Sequence, residues 1–107
     1  MYATVLVTAP DTDVASRLGR TLVEERLAAC VNVLGGLRSI YRWQGQVCDD
    51  AEALMIIKTT REQFKALQAR VTELHPYEVA EVILLPIEAG APDYLAWLGE
   101  QVGPQAD

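Results

Sequence analysis

Residues 30–43, CVNVLGGLRSIYRW, followed by QGQVCDD at 44–50, carry most of the architectural information in this chain. β-Branched and aromatic residues predict an extended strand over 30–43. Gly35-Gly36 breaks its alternation and marks a bulge or bend. Gln44-Gly45 suits a hairpin turn, so the chain returns as a second long strand from Gln46. Fully extended, residues 30–43 would span roughly 46 Å at about 3.3 Å per residue. A compact domain of this size is only roughly 34 Å across. The hairpin therefore either overshoots its own domain or is folded back at Gly35-Gly36 over a later helix. In the first case Ile40, Tyr41 and Trp43 form apolar surface that a monomer seldom leaves wet, placed to add to a neighbour's sheet edge. Self-association is the expectation.

Outward from the hairpin, Tyr2–Thr8 reads as a strand. Asp11 is the N-cap of a helix over Thr12–Ala29, whose apolar face is Val14, Ala15, Leu18 and Leu22. Gly19 on that helix allows close approach to a sheet. The return strand ends in ALMIIKTT at 53–60, apolar on both faces and hence central. Thr60 and Gln63 form a capping box ahead of a helix carrying Phe64, Leu67, Val71 and Leu74, which Pro76 stops. Glu78–Leu85 is a fourth strand, and Pro92 opens a third helix through Leu98. A frayed tail is expected from Gly103. The order β-α-β-β-α-β with a terminal helix predicts an α+β, ferredoxin-like sandwich with an antiparallel sheet and helices on one face, forming a single domain over 1–107.

Composition narrows the function. The chain has 107 residues, 50% of them hydrophobic, which permits a substantial core. Nine Lys and Arg against fifteen Asp and Glu give a formal net charge of −6, and the basic residues form no run, which argues against nucleic acid as a partner. No apolar stretch approaches the roughly 18 residues of a membrane span, and the N-terminus lacks a basic leader, so a cytoplasmic protein without a membrane partner is expected. Cys30 and Cys48 are too few for a disulfide scaffold. Cys30 reads as a small packed hydrophobe and Cys48 as a thiol among carboxylates. Neither suits a nucleophile. No Gly-rich phosphate loop follows the first strand, and nothing sets Ser39 beside His75 as a nucleophile–base pair. No enzymatic activity is expected.

The motifs RLAACVN (26–32), SIYRWQG (39–45), IKT (57–59) and HPYEVAE (75–81), with YLAW at 94–97, lie in an order and spacing that resemble the CutA family of divalent-cation tolerance proteins. The resemblance spans nearly the whole chain. It implies a ferredoxin-like homotrimer whose long hairpins pair across subunits, and a link to copper and other divalent metals. Some CutA-like proteins implicated in copper binding carry a Cys near the end of the first strand and a His-His pair before Pro-Tyr. The matching positions here are Val7 and Leu74-His75, so one of those three ligands remains, which counts against a tight copper site. Ala80 stands where the family usually has Pro.

Candidate chemistry centres on His75, the only histidine. It is either a helix C-terminal residue favoured by the dipole or a metal ligand needing further donors. Glu78 is the nearest carboxylate. Glu81, three residues along one strand, would face the opposite side. Cys30, Asn32, Tyr41, Trp43, Lys58 and Glu81 are candidates to line a cavity between subunits, against the plainer alternative of packing and sheet hydrogen bonding. No firm cofactor is implied beyond a divalent cation such as Cu2+. Two other functions stay open: a small-molecule sensor similar to the PII signalling trimers, with its ligand in intersubunit clefts near Lys58 or Asn32, and a purely structural interaction scaffold.

Overall fold

The computed structural model describes residues 1–104. In chain order it contains β1 (Tyr2–Ala9), α1 (Thr12–Glu24), β2 (Cys30–Trp43), β3 (Gln46–Thr60), α2 (Phe64–Leu74), β4 (Val82–Pro86) and α3 (Pro92–Gln101), with a short 3-10 turn at Arg61–Gln63. The four strands form one antiparallel sheet in the order β2-β3-β1-β4. This is the ferredoxin-like order, with β3 central as its doubly apolar sequence required.

Alternation sorts the sheet into two faces. Ala3, Val5, Val7 and Ala9 of β1 and Ala53, Met55 and Ile57 of β3 are buried, forming the main core with Ala15, Leu18 and Leu22 of α1 and Leu67 and Val71 of α2. Gly19 brings α1 close to the sheet: a Cβ there would sit 3.0 Å from Cγ1 of Val31. Asp11 caps α1, its Oδ1 accepting from the Val14 N–H at 2.8 Å.

The opposite face is largely uncovered. Registers place Leu6 beside Ile56 and Ile83, Ile56 beside Asn32, and Leu54 beside Thr8 and Leu34. Leu34, Ile83 and Leu85 on this face are about half exposed. Only its Tyr2 end is capped, by α3: a Cβ on Gly99 would meet the Tyr2 ring at 3.4 Å. The third helix thus lies across from α1 and α2, and not on one face with them as the sequence suggested.

The β2–β3 hairpin overshoots. β1 reaches β3 only as far as Ala53, so Leu37–Glu52 continues as a two-stranded ribbon. The molecule measures 50 × 27 × 21 Å. The bulge falls between Leu34 and Leu37, with Gly36 at φ +77°. Gln44 and Gly45 at φ +49° and +80° give the paired left-handed turn that matches strand twist.

Three boundaries differ from the sequence reading. First, α1 stops at Glu24, because Arg26 adopts φ +61°. Its Nε and Nη2 donate to the carbonyls of Gly103 (2.7 Å) and Glu100 (2.6 Å), and the Gly103 N–H donates back to the Arg26 carbonyl. Gly103 is therefore tied down and not frayed; the rest of the expected tail, residues 105–107, lies outside the described residues. Second, the capping box does not form: Thr60 is still paired with Tyr2 in the sheet, its side chain makes no cap bond, and the 3-10 turn intervenes. Third, β4 begins at Val82 and not at Glu78, for a reason that belongs to the site.

Candidate functional site: an acidic, aromatic cleft

His75 ends the sheet. Carbonyls of even-numbered β1 residues point towards β4, as the Tyr2 carbonyl accepting from the Ile87 N–H shows. The corresponding Thr8 carbonyl, which a longer β4 would use, is instead taken by His75 Nε2 at 2.7 Å. His75 Nδ1 accepts the backbone N–H of Tyr77 at 3.1 Å, so Nε2 carries the proton and donates to Thr8. The Tyr77 N–H is thereby also lost to any ladder. Buried at 7% exposure, the imidazole has both nitrogens engaged within its own chain.

Because residues 76–81 are irregular, parity does not separate the two glutamates, which corrects the expectation of opposite faces. Glu78 and Glu81 line one cleft of about 740 Å³, closed on its other side by Ser39, Ile40, Tyr41 and Trp43 of the ribbon, with Thr8 and Glu52 also in its wall. Tyr77 leans in, donating from its hydroxyl to Glu52 Oε2 at 2.6 Å and packing its ring 4.7 Å from that of His75. Tyr41 donates to Asp50 Oδ2 at 2.5 Å. The Asp50 hydrogen bond pushes the Tyr41 pKa up to about 12, and burial with the Glu52 hydrogen bond raises that of Tyr77.

The candidate residues fall into two places. Tyr41, Trp43, Glu78 and Glu81 meet in the cleft, with His75 behind them. Cys30, Asn32 and Lys58 lie on the uncovered sheet face: Cys30 is paired with Lys58, and Asn32 is one row away beside Ile56. The Lys58 ammonium donates to Asn32 Oδ1, which also lies 3.9 Å from the Cys30 sulfur. Sequence reasoning did not single out Glu52 or Tyr77. Glu52 and Asp50 could have been found by parity, since the register of the hairpin puts both on the Tyr41 face.

Among the described residues, no group of three or more His, Cys, Asp and Glu side chains is placed to hold a metal ion. The chain by itself offers carboxylates without a closed coordination sphere.

Residues 3–101 match the family profile described as CutA1 divalent ion tolerance protein. The chain belongs to the CutA1 family. The divalent-cation tolerance protein CutA of Thermus thermophilus is 52% identical over 103 residues, covering 96% of this chain and 100% of the relative. Its solved structure superposes with a TM-score of 0.94 over 96% of this chain and 100% of that one. CutA1 of Oryza sativa superposes at a TM-score of 0.93 with 43% identity, covering 95% of this chain and 94% of that one. Mouse protein CutA is 51% identical over 92 residues, covering 86% of this chain, which spans only 52% of that relative's length. This CutA1 family member has the family's α+β fold. Among its described residues no helix is long and apolar enough to cross a membrane.

Proposed function

We propose that this chain works as a cytoplasmic homotrimer that binds divalent cations, copper among them, weakly and without catalysing a reaction. The observation that carries the assembly is the uncovered apolar sheet face continuing onto a ribbon that leaves its own domain. Tyr41 and Trp43 continue that face along the ribbon at 43% and 39% exposure, and Ile40 and Val47 on the ribbon's other face are 69% and 68% exposed. Two edges are also unpaired within one chain, that of β2 and the outer edge of β4. A second copy satisfies both needs at once, burying apolar area at roughly 25 cal/mol per Å² and completing backbone ladders.

Support for cation binding comes from the Thermus relative's description as a divalent-cation tolerance protein, from the net charge of −6, and from the carboxylates of Glu52, Glu78 and Glu81 around one opening. Glu78 and Glu81 are the ligands of this reading, since Glu52 already accepts from the Tyr77 hydroxyl. A metal at His75 would first have to displace the Thr8 carbonyl or the Tyr77 N–H. The chain's own residues therefore offer oxygen donors and a field attractive to cations, which suits weak binding unless a neighbouring copy adds ligands. The PII-like reading placed its ligand near Lys58 or Asn32, but those two side chains already bond each other on the face a neighbour would cover.

Calorimetric titration with Cu2+ tests the metal half. A weak, saturable heat that shrinks in Glu78→Gln/Glu81→Gln is expected; no heat in the unmodified protein would overturn it.

A further inference from the structure

Charge is divided between the two ends of the uncovered sheet face. At the ribbon end every charged group in the cleft wall is a carboxylate, from Glu52, Glu78 and Glu81. Glu52 is held by the Tyr77 hydroxyl, while Glu78 and Glu81 form no ion pair among the described residues. At the other end stands Lys58, in one row with Cys30, Thr4 and the half-exposed Leu85. It is the one Lys or Arg that the strand registers put on that face: Arg38 and Arg42 alternate onto the ribbon's other side, and the rest lie outside the strands. Its ammonium donates to the neutral Asn32 Oδ1 and enters no ion pair among the described residues, so donors are left over. Within one chain the two ends do not meet. Val82, next to Glu81, aligns through Val7 with Met55, which puts it roughly 14 Å from Lys58 at about 3.3 Å per residue and 4.8 Å per strand. The Lys58 side chain also leans the other way, towards β2.

A copy that covers this face takes both ends out of water. A charge dehydrated without a counter-ion is strongly disfavoured, so the copy has to answer the carboxylates with a cation and the ammonium with an anion. The same chain carries both. Free edges select how they meet: β2, towards which Lys58 leans, is unpaired on its outer side, and so is β4, which Glu81 directly precedes. Joining β2 of one copy to β4 of the next sets Lys58 two strand spacings, about 10 Å, from the neighbour's β4, a gap that two long side chains bridge. Contacts of this head-to-tail kind repeat around a closed ring, using each end of every copy once.

We propose that Lys58 of one copy closes the acidic cleft of the next by pairing with its Glu78 and Glu81, so that the site is complete only between subunits. The inference rests on the assembly proposed above and adds the charges that fix its direction. A divalent cation entering the cleft meets a resident ammonium and has to displace it, which suits weak binding.

Exchanging the charges tests it on the full chain, with dissociation along a urea series followed by sedimentation equilibrium. Lys58→Glu and, separately, Glu78→Lys/Glu81→Lys set like charges across the interface, and each is expected to weaken assembly by roughly tenfold or more. The variant carrying all three changes should recover most of that loss, because every interface is matched again. Such recovery cannot arise within a chain, where the two ends are too far apart. Lys58→Met keeps the stem and drops the charge, so it provides a second measurement that needs no charge reversal. Its Cu2+ affinity should exceed that of the unmodified protein, since the glutamates lose their competitor. Unweakened assembly in Lys58→Glu, no recovery in the triple variant, or unchanged Cu2+ affinity in Lys58→Met would overturn the inference. A single-chain particle from the unmodified protein would remove the assembly reading and this inference with it; a trimer indifferent to the exchange would remove this one alone. Absence of any Cu2+ heat in both proteins would remove the metal reading and leave the charge exchange to decide.

Discussion

His75 shows how one side chain sets both the end of a sheet and the shape of a cleft. Its Nε2 takes the Thr8 carbonyl and its Nδ1 takes the Tyr77 N–H, so residues 76–81 leave the ladder and bring Glu78 and Glu81 to the rim of one cleft. His75→Ala removes two hydrogen bonds at a buried position. The expected loss is about 2 kcal/mol at about 1 kcal/mol per bond, read from the denaturant midpoint. The tyrosine–carboxylate pairs make a second prediction, in the alkaline range. Tyr41 holds its proton more tightly folded than unfolded, so its contribution is complete below about pH 10 and is lost as pH rises through 10 towards about 12. Phenolate absorbance should show Tyr41 titrating late in the native protein, and Asp50→Asn should bring it back towards 10. At this scale the sequence was least legible. A lone histidine before a proline announces a helix end or a ligand, but which backbone groups claim its nitrogens depends on β1, more than sixty positions away.

Among the elements, the hairpin was readable in full. Gly35-Gly36, Gln44-Gly45 and the β-branched runs fix the bulge, turn and strand ends locally, and locally encoded features survive folding unchanged. Gly36 sits at φ +77° in open space, so Gly36→Ala should cost about 1 kcal/mol or more through backbone strain alone, measured by thermal denaturation. The end of α1 was not readable, because no glycine or proline marks it. Arg26 turns there at φ +61° since its guanidinium closes the C-terminal end of α3, a partner more than seventy residues downstream. Arg26→Ala is expected to lose roughly 2 kcal/mol, as charge-assisted bonds to two carbonyls go. Arg26→Gly should relieve the strain yet stay less stable than the parent. Thr60 failed as a cap for a related reason: its backbone belongs to β3, and pairing with Tyr2 outweighs a local capping signal. The strand predicted from Glu78 started four residues too early because alternation cannot reveal that the next acceptor is already in use.

For the whole molecule, the length argument and the structure agree that the ribbon leaves the domain, since one axis reaches 50 Å against 27 and 21 Å for the others. One face of the sheet is sealed by α1 and α2, while the other, with Leu6, Leu54, Ile56 and Ile83 at its centre, is closed only at the Tyr2 end. We propose that a copy of the chain, which carries the complementary edges, covers that face and the two free strand edges. The central claim is thus that the folded unit is completed by its own kind. Sedimentation equilibrium at micromolar concentration tests it most directly. A particle about three times the 11.8 kDa chain mass is expected, falling to one chain when Ile40 and Val47 are both replaced by Asp; an 11.8 kDa particle from the unmodified protein would contradict it.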